Sequence, residues 1–161
     1  MKTPESRIEW SDALSVGVSQ LDRDHQIIID LINRLDRAET ESDLTDVLNT
    51  LLAYTEYHFY REERVMEVCD YPELEAHRQE HVQLAEDVAE LQRRHGEGDP
   101  GVTAHVLRDF VANWLAHHIL LEDMAYKPYA IKCRETHGAA ASFGELDLED
   151  LEPGPGDGSK I

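Results

Sequence analysis

Two histidines four residues apart, His77 and His81, stand on a stretch whose apolar residues recur at helical spacing. Such a pair shares one helix face with about 5–6 Å between its Cβ atoms, so both imidazoles can reach one metal ion without special backbone geometry. Three further stretches interrupt an apolar stripe with ligating types: His25; His58 with Glu62, again four apart; and His118 with Asp123, five apart. Each fragment alone is a weak signal, because a lone histidine on an apolar stripe is commonly a hydrogen-bonded core residue and a His–Glu pair can lie on the surface. Their conjunction is informative. Five imidazoles and two carboxylates turned toward one interior would be costly to desolvate unless something cationic sits between them. Seven ligands exceed what a tetrahedral zinc ion takes, whereas two six-coordinate ions can share bridging carboxylates. No cysteine is among the candidates, which argues against structural zinc and copper(I). Mixed imidazole and carboxylate ligation suits iron, and manganese fits the same chemistry.

Positioning these groups requires four helices. The first is expected from Ser19, where Ser19-Gln-Leu-Asp22 resembles a capping box, to Ala38, with Leu21, His25, Ile28, Ile32 and Leu35 inward. The second starts near Ser42 as N-cap, carries Leu44, Leu48, Leu51, Thr55, His58, Glu62, Val65 and Cys69 on one stripe, and stops at Asp70-Tyr71-Pro72. The third runs from Pro72, in its first turn, to the Gly96–Gly101 turn, with Leu74, His77, His81, Leu84, Val88 and Leu91 inward. The fourth spans Val102 to Tyr126, turning Leu107, Phe110, Val111, Trp114, Leu115, His118 and Leu121 inward, with Pro128 limiting its continuation. Short connections between four such helices predict an all-α, antiparallel up-down-up-down bundle. Domain boundaries follow: an N-terminal arm over 1–20 packing on the bundle, the bundle over 21–130, and an acidic C-terminal extension over 131–161, disordered from 138. Phe143, Leu146, Leu148 and Leu151 leave that tail able to dock on a protein partner.

His117 precedes His118, and each is followed five residues later by a carboxylate, Glu122 or Asp123. Periodicity does not separate the two registers. A spacing of five also rotates about 140° around an ideal helix, which predicts either a long carboxylate reach or a local distortion. His95, His105 and His137 read as surface residues, His95 favouring a helix C-terminus. Asp24 either orients a ligand or is a first-turn helix charge, the second being favoured.

Composition narrows the function classes. With 34 acidic against 15 basic residues the chain carries a net charge of −19, which repels nucleic acid and anionic membranes. No apolar stretch approaches the ~20 residues of a membrane span, and residues 1–10 lack a secretory core. Cys69 and Cys133, the two cysteines present, read as reduced thiols in a cytoplasmic protein. A monomer is expected.

The set Trp10…Gly17, Asp24-His25, His58-Phe59-x-x-Glu62-Glu63, Met66, Tyr71-Pro72-x-x-x-x-His77-x-x-x-His81 and Trp114-Leu115-x-x-His118-Ile119-x-x-x-Asp123-x-x-Tyr126 resembles the hemerythrins, in particular their single-domain bacterial members, over about residues 8–130. The resemblance implies two iron ions with an oxo or hydroxo bridge. His77, His81 and His118 would hold one, His25 and His58 the other, and Glu62 and Asp123 would bridge them. It selects His118 and Asp123 over the neighbouring register. It also implies that the two-histidine iron keeps an open position for dioxygen, and that Leu115 and Ile119, with Trp114 nearby, line the ligand pocket. Reversible dioxygen binding for carriage, storage or delivery is therefore expected, without enzymatic turnover. The rivals are a di-iron oxidase, peroxidase or nitric-oxide-handling enzyme, for which spacing places no radical-forming tyrosine beside the metals, and an oxygen or iron sensor.

Overall fold

A computed structural model describes residues 8–141, without the side chains of His137 and Ala141. Four long rods form an antiparallel up-down-up-down bundle: α1 (Ser19–Arg37), α2 (Glu41–Val68), α3 (Leu74–Gly96), and a fourth rod made of α4 (Ala104–His117), a π-helical turn (His118–Glu122) and α5 (Asp123–Lys132). A short α6 (Thr136–Ala141) follows and packs on α2 and α1. Among the described residues no helix is long and apolar enough to cross a membrane.

The helix starts differ from expectation in instructive ways. Asp22 does not close a capping box. Val18 is the N-cap of α1, and the Asp22 carboxylate reaches back to accept from Val16 N–H (2.8 Å) and the Ser15 hydroxyl (2.5 Å), fastening the arm to the helix. α2 is capped by Thr40, whose Oγ1 accepts from Asp43 N–H, two residues before the expected Ser42. α3 begins at Leu74, leaving Pro72 in the preceding turn, where Asp70 takes the left-handed conformation (φ 54). The fourth rod passes Pro128 and continues to Lys132. Tyr126 and Ala130, both buried, anchor α5 on either side of the proline, and this packing outweighs the missing hydrogen bond.

Ile8, Trp10 and Leu14 pack on the bundle, and Val16 and Val18 are fully buried. The arm turns at Gly17 (φ +81), where an added Cβ would come 2.6 Å from the Ile131 side chain, so both conformation and space demand glycine. At the other end, residues expected to be disordered from 138 are helical as far as Ala141. Ala140 is buried, and the Thr136 hydroxyl bonds to the carbonyls of Ala130 and Cys133. Alanine's helix propensity and a place against α2 suffice for this turn. Phe143, Leu146, Leu148 and Leu151 lie outside the described residues.

The core comes in two parts. One apolar cluster, including Ile28, Leu35, Leu51, Leu84, Val111 and Leu115, fills one end of the bundle. A smaller one, including Val16, Leu21, Val65, Met66, Tyr126 and Ala130, fills the other.

Candidate metal centre

The ligating side chains gather between those two clusters. α1 delivers His25, α2 His58 and Glu62, α3 His77 and His81, and the fourth rod His118 and Asp123; none is more than 4 % exposed. Their donor atoms form two overlapping groups, Glu62–His77–His81–His118 and His25–His58–Glu62–Asp123, each contained within 4.8 Å.

Both carboxylates divide their oxygens between the groups. Glu62 Oε1 lies 2.5 Å from His77 Nε2 and 3.8 Å from His81 Nε2, while its Oε2 lies 2.7 Å from His58 Nε2 and 3.9 Å from His25 Nε2. Asp123 Oδ1 is 3.0 Å from His118 Nε2 and 3.3 Å from His77 Nε2, and its Oδ2 is 3.0 Å from His25 Nε2. The five-residue spacing is accommodated by local distortion: Asp123 N–H bonds to His118 O across the π turn, which returns both side chains to one face. That turn also changes the register of its neighbours. Leu121, expected inward, is 57 % exposed, and Ile119 is buried in its stead.

The imidazole nitrogens also crowd together, with Nε2 atoms 3.1 Å apart in His25–His58, His77–His118 and His81–His118. Three of the rings have a carboxylate at the opposite nitrogen. His58 Nδ1 donates to Asp24 Oδ2 (3.0 Å), His81 Nδ1 donates to Glu63 Oε1 (2.8 Å), and His118 Nδ1 lies 3.2 Å from Glu80 Oε2. A proton kept at Nδ1 leaves the Nε2 lone pair facing inward. Lone pairs facing each other and buried carboxylates repel unless a cation lies between them. None of the four Glu62 and Asp123 oxygens receives a well-formed hydrogen bond. Donor spacings of 2.5–3.9 Å within each group bring the atoms close enough to share a cation. The donors therefore fit a metal.

Electrostatics tell the same story with protons in the cation's place. Burial works to depress His58, but Asp24 and Glu62 outweigh it and raise it to about 10. His77 is likewise raised to about 10, burial being overcome by Asp123 and Glu62. Glu62 and Asp123 are held well below the usual carboxylate range, because the surrounding imidazoles outweigh desolvation. His81 moves the other way, lowered by burial and by the neighbouring His118 and His77.

His117 is exposed, whereas His118 is buried among the other imidazoles. His105 is exposed, and His95 donates Nδ1–H to Val102 O (2.9 Å) beyond the end of α3. Asp24 is not a first-turn surface charge: it is 3 % exposed, holds His58, accepts from Tyr54 OH (2.8 Å) and pairs with the buried Arg61 (3.3 Å). Glu63 and Tyr126 stand in the motif set without a role, and Glu80 is absent from it; Glu63 holds His81, and Tyr126 is fully buried with its ring 5.9 Å from His77. Leu115 and Ile119 are buried in the larger apolar cluster, and Trp114 stacks on His118 with centroids 4.6 Å apart.

Known proteins similar to this chain share one family. The profile of the hemerythrin HHE cation binding domain matches residues 16–130. A bacteriohemerythrin of Ralstonia nicotianae is 33% identical over 116 residues, 72% of this chain and 83% of that protein. One of Methylococcus capsulatus is 34% identical over 123 residues, 74% and 93%. A crystal structure of a hemerythrin leucine-to-tyrosine mutant superposes with a TM-score of 0.66 at 30% identity, covering 77% of this chain and 97% of that one.

Proposed function

The chain belongs to the hemerythrin family, and on that premise we propose that it binds dioxygen reversibly at a non-haem di-iron centre, for carriage, storage or delivery and without enzymatic turnover. The observation that carries this reading is the division of Glu62 and Asp123 between a three-histidine and a two-histidine group, the pattern expected of two carboxylates bridging two ions. His77, His81 and His118 would hold one iron, and His25 and His58 the other. When bound, a ferrous pair supplies an open coordination position and the two electrons that dioxygen draws on.

The chain's own residues set the conditions for holding oxygen. Asp24 and Glu63 hold the Nδ1 protons of His58 and His81 and turn their Nε2 lone pairs inward. Leu115 and Ile119, buried beside His118, form the apolar wall of the ligand pocket, and Trp114 fixes the plane of the His118 ring. A dry wall excludes the water that would release reduced oxygen species. Two free cysteines accord with a cytoplasmic location.

The test is optical and elemental. Chain loaded with ferrous iron under anaerobic conditions is expected to hold two irons, to gain a visible absorption band on admitting oxygen, and to lose it when oxygen is removed, over repeated cycles. Absence of stoichiometric iron would refute the centre. A band that decays at once while a reductant is consumed would replace carriage by catalysis.

A further inference from the structure

The chain has two cysteines, Cys69 and Cys133, and the fold brings them from different rods to one end of the bundle. Cys69 is the C-cap of α2 and Cys133 the C-cap of α5. The Cys133 thiol donates to the carbonyl of Val68 (3.7 Å), the peptide that leads directly into Cys69, while the Cys69 thiol donates to the carbonyl of Met66 (3.6 Å). A carbonyl oxygen lies about 2.8 Å from the Cα of the next residue, so the Cys133 sulfur stands within about 6.5 Å of the Cys69 Cα. Electrostatics report the same proximity: burial, and then the neighbouring Cys133, push the Cys69 thiol up.

Both backbones are fixed while both sulfurs stay reachable. Cys69 N–H bonds to Val65 O (3.0 Å) and Cys133 N–H to Ala130 O (3.3 Å), and the Cys133 carbonyl accepts from the buried Thr136 hydroxyl (3.0 Å). Each thiol is half-buried, and neither belongs to the metal-ligating groups. Each sulfur turns about one Cα–Cβ bond, so pairing the two orders little that the fold has not already ordered.

We propose that Cys69 and Cys133 form a redox modification site, in which exchange with a small disulfide such as oxidised glutathione joins them into a reversible staple between the C-terminal ends of α2 and α5, the helices that deliver Glu62 and Asp123. One cysteine thiolate first attacks a sulfur of the small disulfide; a new S–S bond forms, the old one breaks, and one glutathione thiolate leaves. The second cysteine thiolate then attacks the protein sulfur of this mixed disulfide and expels the other glutathione thiolate. The two protons lost by the cysteines end on the two glutathiones, each protein sulfur is oxidised by one electron, and the small disulfide is reduced by two. Burial and the neighbouring thiol hold Cys69 in its protonated form, so exchange is slow at neutral pH and quickens in alkali. The pair lies outside the metal centre, and its chemistry does not depend on what that centre binds.

The experiment incubates the metal-loaded full chain with oxidised and reduced glutathione in varied ratio, alkylates the remaining thiols, and follows intact mass, peptide maps and melting temperature. The oxidised chain is expected to be a monomer two hydrogens lighter, to retain no glutathione, to yield one cross-linked peptide carrying Cys69 and Cys133, and to revert in excess reduced glutathione. Its melting temperature should rise by about 5–10 °C, because the bond closes a long loop. The rate of its formation should increase at least tenfold from about pH 7 to about pH 9. Cys69→Ser and Cys133→Ser should each stop at a single glutathione adduct on the remaining cysteine. A wild-type chain that keeps glutathione without forming the internal bond, or that links to a second chain instead, would overturn the proposal. So would a disulfide form that melts below the reduced one, since the bond would then distort the helix ends rather than fasten them.

Discussion

At the scale of single residues, the candidate ligands and the groups that hold them are placed by different rules. His77–His81 and His58–Glu62 declare a shared face by spacing alone. The groups that orient them are written across helices, and spacing does not report that. Asp24 comes from α1 and holds a ring on α2; Glu63 comes from α2 and holds one on α3; Glu80 comes from α3 and faces His118 on the fourth rod. Asp24 is the most exacting of the three, since it also compensates the buried Arg61. Asp24→Asn is expected to lower metal affinity about 10–100-fold. Removing the buried carboxylate that faces Arg61 should also lower the stability of the chain. Metal titration and denaturant melts read the two effects separately; an Asp24→Asn chain with wild-type affinity would show that His58 needs no orienting partner. Glu62→Ala removes a group shared by both halves of the centre, so metal content per chain, measured by elemental analysis, should fall for both ions together.

At the scale of elements, the four rods follow from apolar periodicity, while their ends followed local chemistry that competes at short range. Thr40 and Ser42 are both competent N-caps, and only the observed Thr40–Asp43 bond separates them. Pro128 reads as a stop, and tertiary packing overrides it. The five-residue step from His118 to Asp123 was legible as a distortion without revealing its kind. It is a π turn, and such insertions persist where function repays their poorer hydrogen bonding. Deleting Leu121, which is exposed, should let α4 and α5 join as one regular helix in nearly the same frame. The metal-free variant is then expected to melt higher than wild type and to keep its metal affinity within a few-fold, because a four-residue step from His118 to the aspartate shares one face as His77 and His81 do. A tenfold loss of affinity would show that the centre needs the turn itself. Gly17→Ala tests the arm: its φ of +81 and the Cβ contact with Ile131 should cost about 1–3 kcal/mol, read as a lower melting temperature.

At the scale of the whole molecule, a polar, charged belt divides the core into two apolar clusters. Something positive must occupy that belt for the bundle to hold together, and either protons or metal ions can serve. In the metal-free chain His58 and His77 are raised to about 10 from an ordinary 6.5. Groups shifted upward on folding stabilise fully below their unfolded value and lose that contribution as pH climbs through the folded one. The metal-free bundle should therefore weaken between about pH 6.5 and about pH 10, as the imidazolium ions surrender their protons and leave Glu62 and Asp123 without counter-charge. Those two carboxylates, shifted downward, contribute above their ordinary values of 4.5 and 3.8 and lose that contribution as pH falls, so acid should also destabilise. With metal bound the alkaline loss should vanish, since the ions take over the protons' role, and loading at neutral pH should release protons into solution. Melting temperatures of the two forms across pH 6 to 10, with proton release followed in weakly buffered medium, check both expectations. Equal stability of the metal-free chain at both ends of that range would mean that the belt is not held by protons, and the linkage argument would fail.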